Sequence, residues 1–242
     1  LAALVFLIGC VGNDMAVVPK HKCQLVVVLD KTNSVTYVQK REHIRQELMS
    51  KFDRTYDGAT NNIQSSLLVI TGSTSVFPVL YRFEVQLPAG EDDNRGYQEA
   101  LLQWNTEKRK WLAGRVKEVV GRIDSPCRSN TTDIFSIFSG IAQVQKNDGP
   151  WDSINVMVFS DMVNTCSSLN MRSGVNIQNA REKGKTMCKD LIAGGRMAAT
   201  GNENLYFKVY TPDMMENTEA VNLVWTSFFQ QWGLKPDQYR FE

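Results

Sequence analysis

The stretch VVVLDKTNSV, residues 26–35, joins an unbroken apolar run to Asp30, with Thr32 and Ser34 following at alternate positions. Valine and leucine in succession, without polar alternation, describe a strand covered on both faces, the pattern of a parallel sheet enclosed by helices. A carboxylate and two hydroxyls at the end of such a strand put oxygen donors at the sheet edge. That edge is where loops converge and ligands bind in open α/β sheets.

Outward from this stretch the chain alternates between two periodicities. Strands are predicted over residues 24–29, 66–70, 154–159 and 205–210, with a neighbouring edge strand over 79–87. Helical spacing of apolar residues predicts helices over 35–52, 97–123, 133–145, 175–192 and 219–232. Parallel strands need crossover connections, which the intervening helices supply. The predicted fold class is therefore α/β: a three-layer, Rossmann-like arrangement with a mostly parallel central sheet and helices on both faces. Trp104, Trp111, Trp225 and Trp232 fall within helices at spacings of seven and are read as core.

The 242 residues carry 27 Lys and Arg against 26 Asp and Glu, a net charge of +1, with no basic stripe interleaved with aromatics. That balance excludes the electrostatic footprint of a nucleic-acid binder. The only strongly apolar segment is LAALVFLIG at the start, too short to span a bilayer and placed where the apolar core of a secretory signal would lie. It runs into Leu7-Ile8-Gly9-Cys10, which resembles a bacterial lipobox. The resemblance implies lipidation at Cys10, a membrane tether and a place in the bacterial cell envelope, periplasmic or cell-surface. The predicted organisation is a signal segment over residues 1–10, a linker over 11–22 and one domain over 23–242.

With Cys10 assigned to lipid, Cys23, Cys127, Cys166 and Cys188 remain, none in a CxxC arrangement. Four cysteines in an exported chain are expected to form two disulfides, with three possible pairings. Placement along the predicted topology favours Cys127 with Cys166, both near the Asp30 end of the sheet, and Cys23 with Cys188 at the opposite end.

Two later segments join Asp30, Thr32 and Ser34. Asn130-Thr131-Thr132-Asp133 opens a helix, and Phe159-Ser160-Asp161 ends a long strand. Hydroxyls and carboxylates together form a hard oxygen set suited to Mg²⁺ or Mn²⁺. This constellation resembles a von Willebrand factor type A (vWA) domain with a metal-ion-dependent adhesion site. In that family Asp-x-Ser-x-Ser follows the first strand, a later loop supplies Thr, and Asp closes a further strand. The resemblance implies that Thr32, Ser34 and Thr132 touch a metal, that Asp30 and Asp161 act largely through water, and that a protein partner's Asp or Glu takes the open position. Thr32 replaces the family's Ser, Thr131 stands where Gly is usual, and Met162 where Gly often follows the Asp.

A catalytic reading competes. A strand-end Asp followed by a turn also describes Mg-dependent phosphate-transfer hydrolases, but their acid/base Asp two residues on is Thr32 here. The two histidines, His21 and His43, are not placed for a catalytic triad, and no phosphate-binding glycine loop is present. The expectation is a binding module without turnover. A degenerate vWA domain with a purely structural envelope role is the remaining alternative.

Overall fold

The apolar run of residues 25–29 occupies the middle of a seven-stranded sheet. A computed structural model describes residues 23–30, 41–57, 63–71, 74–75, 79–82, 88, 94–124, 131–148, 151–165, 171–199, 202–212 and 218–242. Its strands are β1 (Cys23–Asp30), β2 (Ile63–Thr71), β3 (Thr74–Ser75), β4 (Val79–Arg82), β5 (Ser153–Phe159), β6 (Leu205–Tyr210) and β7 (Tyr239–Phe241). The order across the sheet is β3-β2-β1-β5-β6-β7, and β4 also pairs with β2. Strands β2, β1, β5, β6 and β7 run parallel, while β3 and β4 are antiparallel pieces of one interrupted edge. The fold is thus α/β with a mostly parallel central sheet, as the sequence predicts.

Helices cover both faces: α1 (Arg41–Asp57), α2 (Arg95–Asp124), α3 (Ser136–Asp148), the short α4 (Met171–Gly174), α5 (Ala180–Ala193) and α6 (Thr218–Gln231). Strand side chains alternate between faces, and β1 serves a core on each side. Val26 and Val28 join a core with α3, α5 and α6, and Leu25, Val27 and Leu29 join one with α1 and α2. This double duty explains the absence of polar alternation in residues 25–29. Trp104, Trp225 and Trp232 are buried and Trp111 partly so, as expected of core residues. Helices α5 and α6 pack closely at Gly184, where a Cβ would lie 2.1 Å from the Val224 carbonyl oxygen.

Several local details depart from the expectations. The helix expected over 175–192 begins only at Ala180, after a turn in which Asn176 and Asn179 accept each other's backbone N–H, and a separate short helix, α4, precedes that turn. The edge strand expected over 79–87 is described as a strand only over Val79–Arg82. Strand β7 was not anticipated. It follows a single 3-10 turn at Pro236–Gln238 and is only three residues long.

The expected Cys23–Cys188 bridge is not formed, since Cys188 is a buried free thiol. It sits in the core with α3 and α6. Burial pushes its thiol pKa up to about 11. Cys10, Cys127, Cys166, Thr32, Ser34 and His21 lie outside the described residues, as do the lipobox and linker. Among the described residues no helix is long and apolar enough to cross a membrane.

Candidate functional site

Chain order reverses direction across the sheet at β1. The connection from β1 leads to β2 on one side, and β5, β6 and β7 extend on the other. The crevice beyond the carboxyl ends of β1 and β5 is therefore a topological switch point, the place where open α/β sheets bind ligands. Asp30 is the last residue of β1, and β5 pairs with β1 in parallel register through Leu29 and Phe159. Ser160 and Asp161 follow immediately, so the register brings Asp30 and the Ser160-Asp161 pair to the same crevice.

Both carboxylates are buried, Asp30 at 4% and Asp161 at 6% exposure. Burying a carboxylate is costly unless hydrogen bonds or a cation compensate. Ser160 Oγ donates to Asp30 Oδ2 at 2.7 Å, and the Val163 backbone N–H donates to Asp161 Oδ1 at 2.9 Å. The Met162 N–H donates to Ser160 Oγ at 2.9 Å, so the hydroxyl relays one backbone donor to Asp30. Asp161 has no salt-bridge partner among the described residues.

Thr132 is buried and lies on the loop leading into α3. Its backbone is stitched to the segment after Asp161: Thr132 N–H donates to Thr165 Oγ1 at 2.7 Å, and Thr165 N–H donates to the Thr132 carbonyl at 3.0 Å. Asn164, fully buried, accepts the Ile134 N–H through Oδ1 at 3.1 Å. Two loops some 30 residues apart in sequence are thereby joined, and the Thr132 loop is fixed against the Asp161 loop.

Met162 has φ of 55°, the only positive value for a non-glycine among the described residues. The left-handed region costs a side-chain-bearing residue roughly 1–2 kcal/mol. Met162 thus keeps the backbone conformation suited to the glycine often found there in the family it resembles. The buried Trp225 of α6 holds the turn, its indole Nε1–H donating to the Met162 carbonyl at 2.8 Å.

Of the five metal-site residues expected from the sequence, three are described. Asp30 and Asp161 meet at the switch point, and Thr132 is tied to the Asp161 loop. Thr32 and Ser34 follow Asp30 outside the described residues. The positioning roles of Ser160, Met162, Asn164, Thr165 and Trp225 were missed. Ser160 and Met162, which flank Asp161, carried a local signal.

The donors fit a hard divalent cation, being all oxygen, and a buried Asp161 with no counter-cation among the described residues is a place where such a charge would be stabilised. Among the described residues no three His, Cys, Asp or Glu side chains cluster. A cation here would depend on hydroxyls as well as on the two aspartates.

No protein-family model matches the chain, and no curated protein matches it. Among solved structures, similarity extends to the manganese-loaded TRAP protein of Plasmodium vivax. That match has TM-score 0.40 and 13% identity, and covers 92% of this chain and 68% of that one. Proximal thread matrix protein 1 of the mussel byssus is similar at TM-score 0.40 and 10% identity, over 86% of this chain and 48% of that one. This chain thus spans about half the length of the second protein. At these scores neither likeness bears on the site.

Proposed function

We propose that this protein is a metal-dependent protein-binding module. Asp30, Thr32, Ser34, Thr132 and Asp161 hold Mg²⁺ or Mn²⁺, and a partner contributes an Asp or Glu. The observation that carries this reading is Asp161, a buried carboxylate at the switch point that has no ion-pair partner among the described residues and shares the crevice with a second buried carboxylate. The vWA resemblance of the motif agrees with it.

The chain's own residues divide the work. Asp30 and Asp161 supply negative charge, oriented by Ser160 and the Val163 amide, and the hydroxyl of Thr132 supplies a neutral donor on a loop fixed by Asn164 and Thr165. A bound divalent cation would neutralise the aspartates and attract an external carboxylate. A hydroxyl-rich set leaves more of the metal's charge uncompensated by the protein, which favours an acidic partner. The position two residues after Asp30, where a strand-end Asp hydrolase carries its acid/base Asp, is Thr32, and this reading gives the module no turnover. Cys10 would tether it to a membrane of the bacterial envelope.

Calorimetric titration with Mn²⁺ and Mg²⁺ tests the metal, and capture of envelope proteins with and without EDTA tests the partner. Saturable divalent binding lost in Asp161→Ala, with EDTA-sensitive capture, is the expected result. Capture that persists unchanged in EDTA defeats the adhesion reading. Mg²⁺-dependent phosphoester hydrolysis that disappears in Asp30→Ala would put the hydrolase in its place.

A further inference from the structure

The backbone around Met162 serves both aspartates at once. The peptide on its amino side presents the Met162 N–H to Ser160 Oγ, and Ser160 donates in turn to Asp30 Oδ2. The peptide on its carboxyl side presents the Val163 N–H to Asp161 Oδ1, while the carbonyl of that same peptide accepts the Trp225 indole N–H. A trans peptide is planar, so its C=O and N–H cannot rotate independently. The indole therefore acts as a fixed point at one end of a rigid plate whose other end holds a carboxylate.

The positive φ at Met162 sets the angle between the two plates. A side-chain-bearing residue does not favour that angle unaided, and the indole bond opposes its relaxation. Trp225 is well placed for this task. It is fully buried, with Phe138 and Phe228 at centroid distances of 5.9 and 5.1 Å. Its helix is held against α5 at the close contact of Gly184 with Val224.

We propose that Trp225 is a positioning residue for the metal site. Acting through the left-handed peptide turn at Met162, it orients the carboxylates of Asp30 and Asp161 and links helix α6 mechanically to the site. The effect on metal affinity rests on the reading above; the effect on the backbone does not.

The test uses the full chain as wild type, Trp225→Phe, and Trp225→Phe combined with Met162→Gly. Two quantities are measured: Mn²⁺ affinity, and metal-free hydrogen exchange at the Met162 and Val163 amides with Val156 and Val158 of β5 as references. Losing one buried hydrogen bond should accelerate exchange at Met162 and Val163 about tenfold and weaken Mn²⁺ binding about tenfold, leaving the references unchanged. Glycine adopts positive φ without penalty, so the double variant should return to within about threefold of wild-type affinity and exchange. A merely structural tryptophan would show no such rescue. Unchanged exchange at both amides in Trp225→Phe overturns the proposal, as does unchanged Mn²⁺ affinity or failure of the glycine to rescue. If the wild type binds no Mn²⁺ while exchange accelerates and is rescued, the positioning role stands and the metal reading falls.

Discussion

Two groups of carboxylates in this molecule are held in opposite ways. At the switch point Asp30 and Asp161 are oriented by a hydroxyl and a backbone amide. On the α1 side of β6, Glu47 and Glu242 share one cation: Lys208 Nζ lies 2.6 Å from Glu47 Oε2 and 2.9 Å from Glu242 Oε2. Tyr210 also donates to Glu47 at 3.1 Å, and Arg240 lies 3.0 Å from Glu242 Oε1. This second group borders a cleft of about 320 Å³ lined by residues including Asn155, Tyr206 and Lys208, yet its acids already have their counter-charges. A cleft is therefore less informative here than the state of its acids. Carboxylates matched by lysine and arginine contribute to the fold, whereas Asp161, which accepts from a backbone amide and has no ion-pair partner among the described residues, retains affinity for a cation from outside.

The largest expected effect sharpens this contrast. Asp161→Asn keeps the acceptor for Val163 and removes the charge. At Mn²⁺ a hundred times its Kd the wild type should gain about 2.7 kcal/mol of stability in urea denaturation, and Asp161→Asn should gain none. Without metal the variant should be no less stable than wild type and up to about 1 kcal/mol more so, because a buried charge with no ion-pair partner among the described residues has been removed. Marked destabilisation of the metal-free variant would show that Asp161 is a structural acid like Glu47.

Next in size is Gly184→Ala. Its Cβ would meet the Val224 carbonyl at 2.1 Å, which forces α5 and α6 apart at a cost of about 1–3 kcal/mol. Because Val224 adjoins Trp225, Mn²⁺ affinity should fall along with stability, measured by titration and urea denaturation on the same preparation. Lys208→Met should behave differently. It strips two carboxylates of a cation that is 18% exposed, costing about 1–2 kcal/mol in urea denaturation, with Mn²⁺ affinity unchanged. A drop in metal affinity for Lys208→Met would mean that the two groups are coupled and the contrast is false.

The sequence made some of this legible and hid the rest for physical reasons. Residues 25–29 announce a central strand because burial on both faces removes polar alternation. Asp30 and Asp161 stand out because each follows closely on such a run. Ser160 is visible as a neighbour, but its bond to Asp30 spans 130 positions. Asn164, Thr165 and Trp225 act across 30, 33 and 63 positions, and no local pattern encodes such pairings. Strand β7 is too short to show a period. The Cys23–Cys188 expectation considered only which end of the sheet each residue occupies, and no local pattern signals that Cys188 is a free thiol within the core.

The smallest effect concerns pH and isolates the paired group. The hydrogen bond from Lys208 is the main influence holding the Glu47 carboxyl below its ordinary value of 4.5, partly opposed by burial and aided by the Tyr210 hydroxyl. Burial, with the Glu47 charge adding to it, raises the pKa of Tyr210, so that hydroxyl stays protonated and keeps donating throughout the acid range. A carboxyl whose folded-state pKa is depressed contributes stability that is fully present above its unfolded value and is lost as pH falls through the folded one. Glu47→Gln should therefore be less stable than wild type at pH 7 in urea denaturation. The gap should hold down to about pH 4.5, shrink below it and close once Glu47 is protonated in both states. The other acids are common to both proteins and largely cancel from the difference. A gap of constant size down to pH 3 would mean that Glu47 stabilises the fold through packing and hydrogen bonding rather than through its charge. The paired group would then no longer serve as the charged counterpart of the switch-point aspartates.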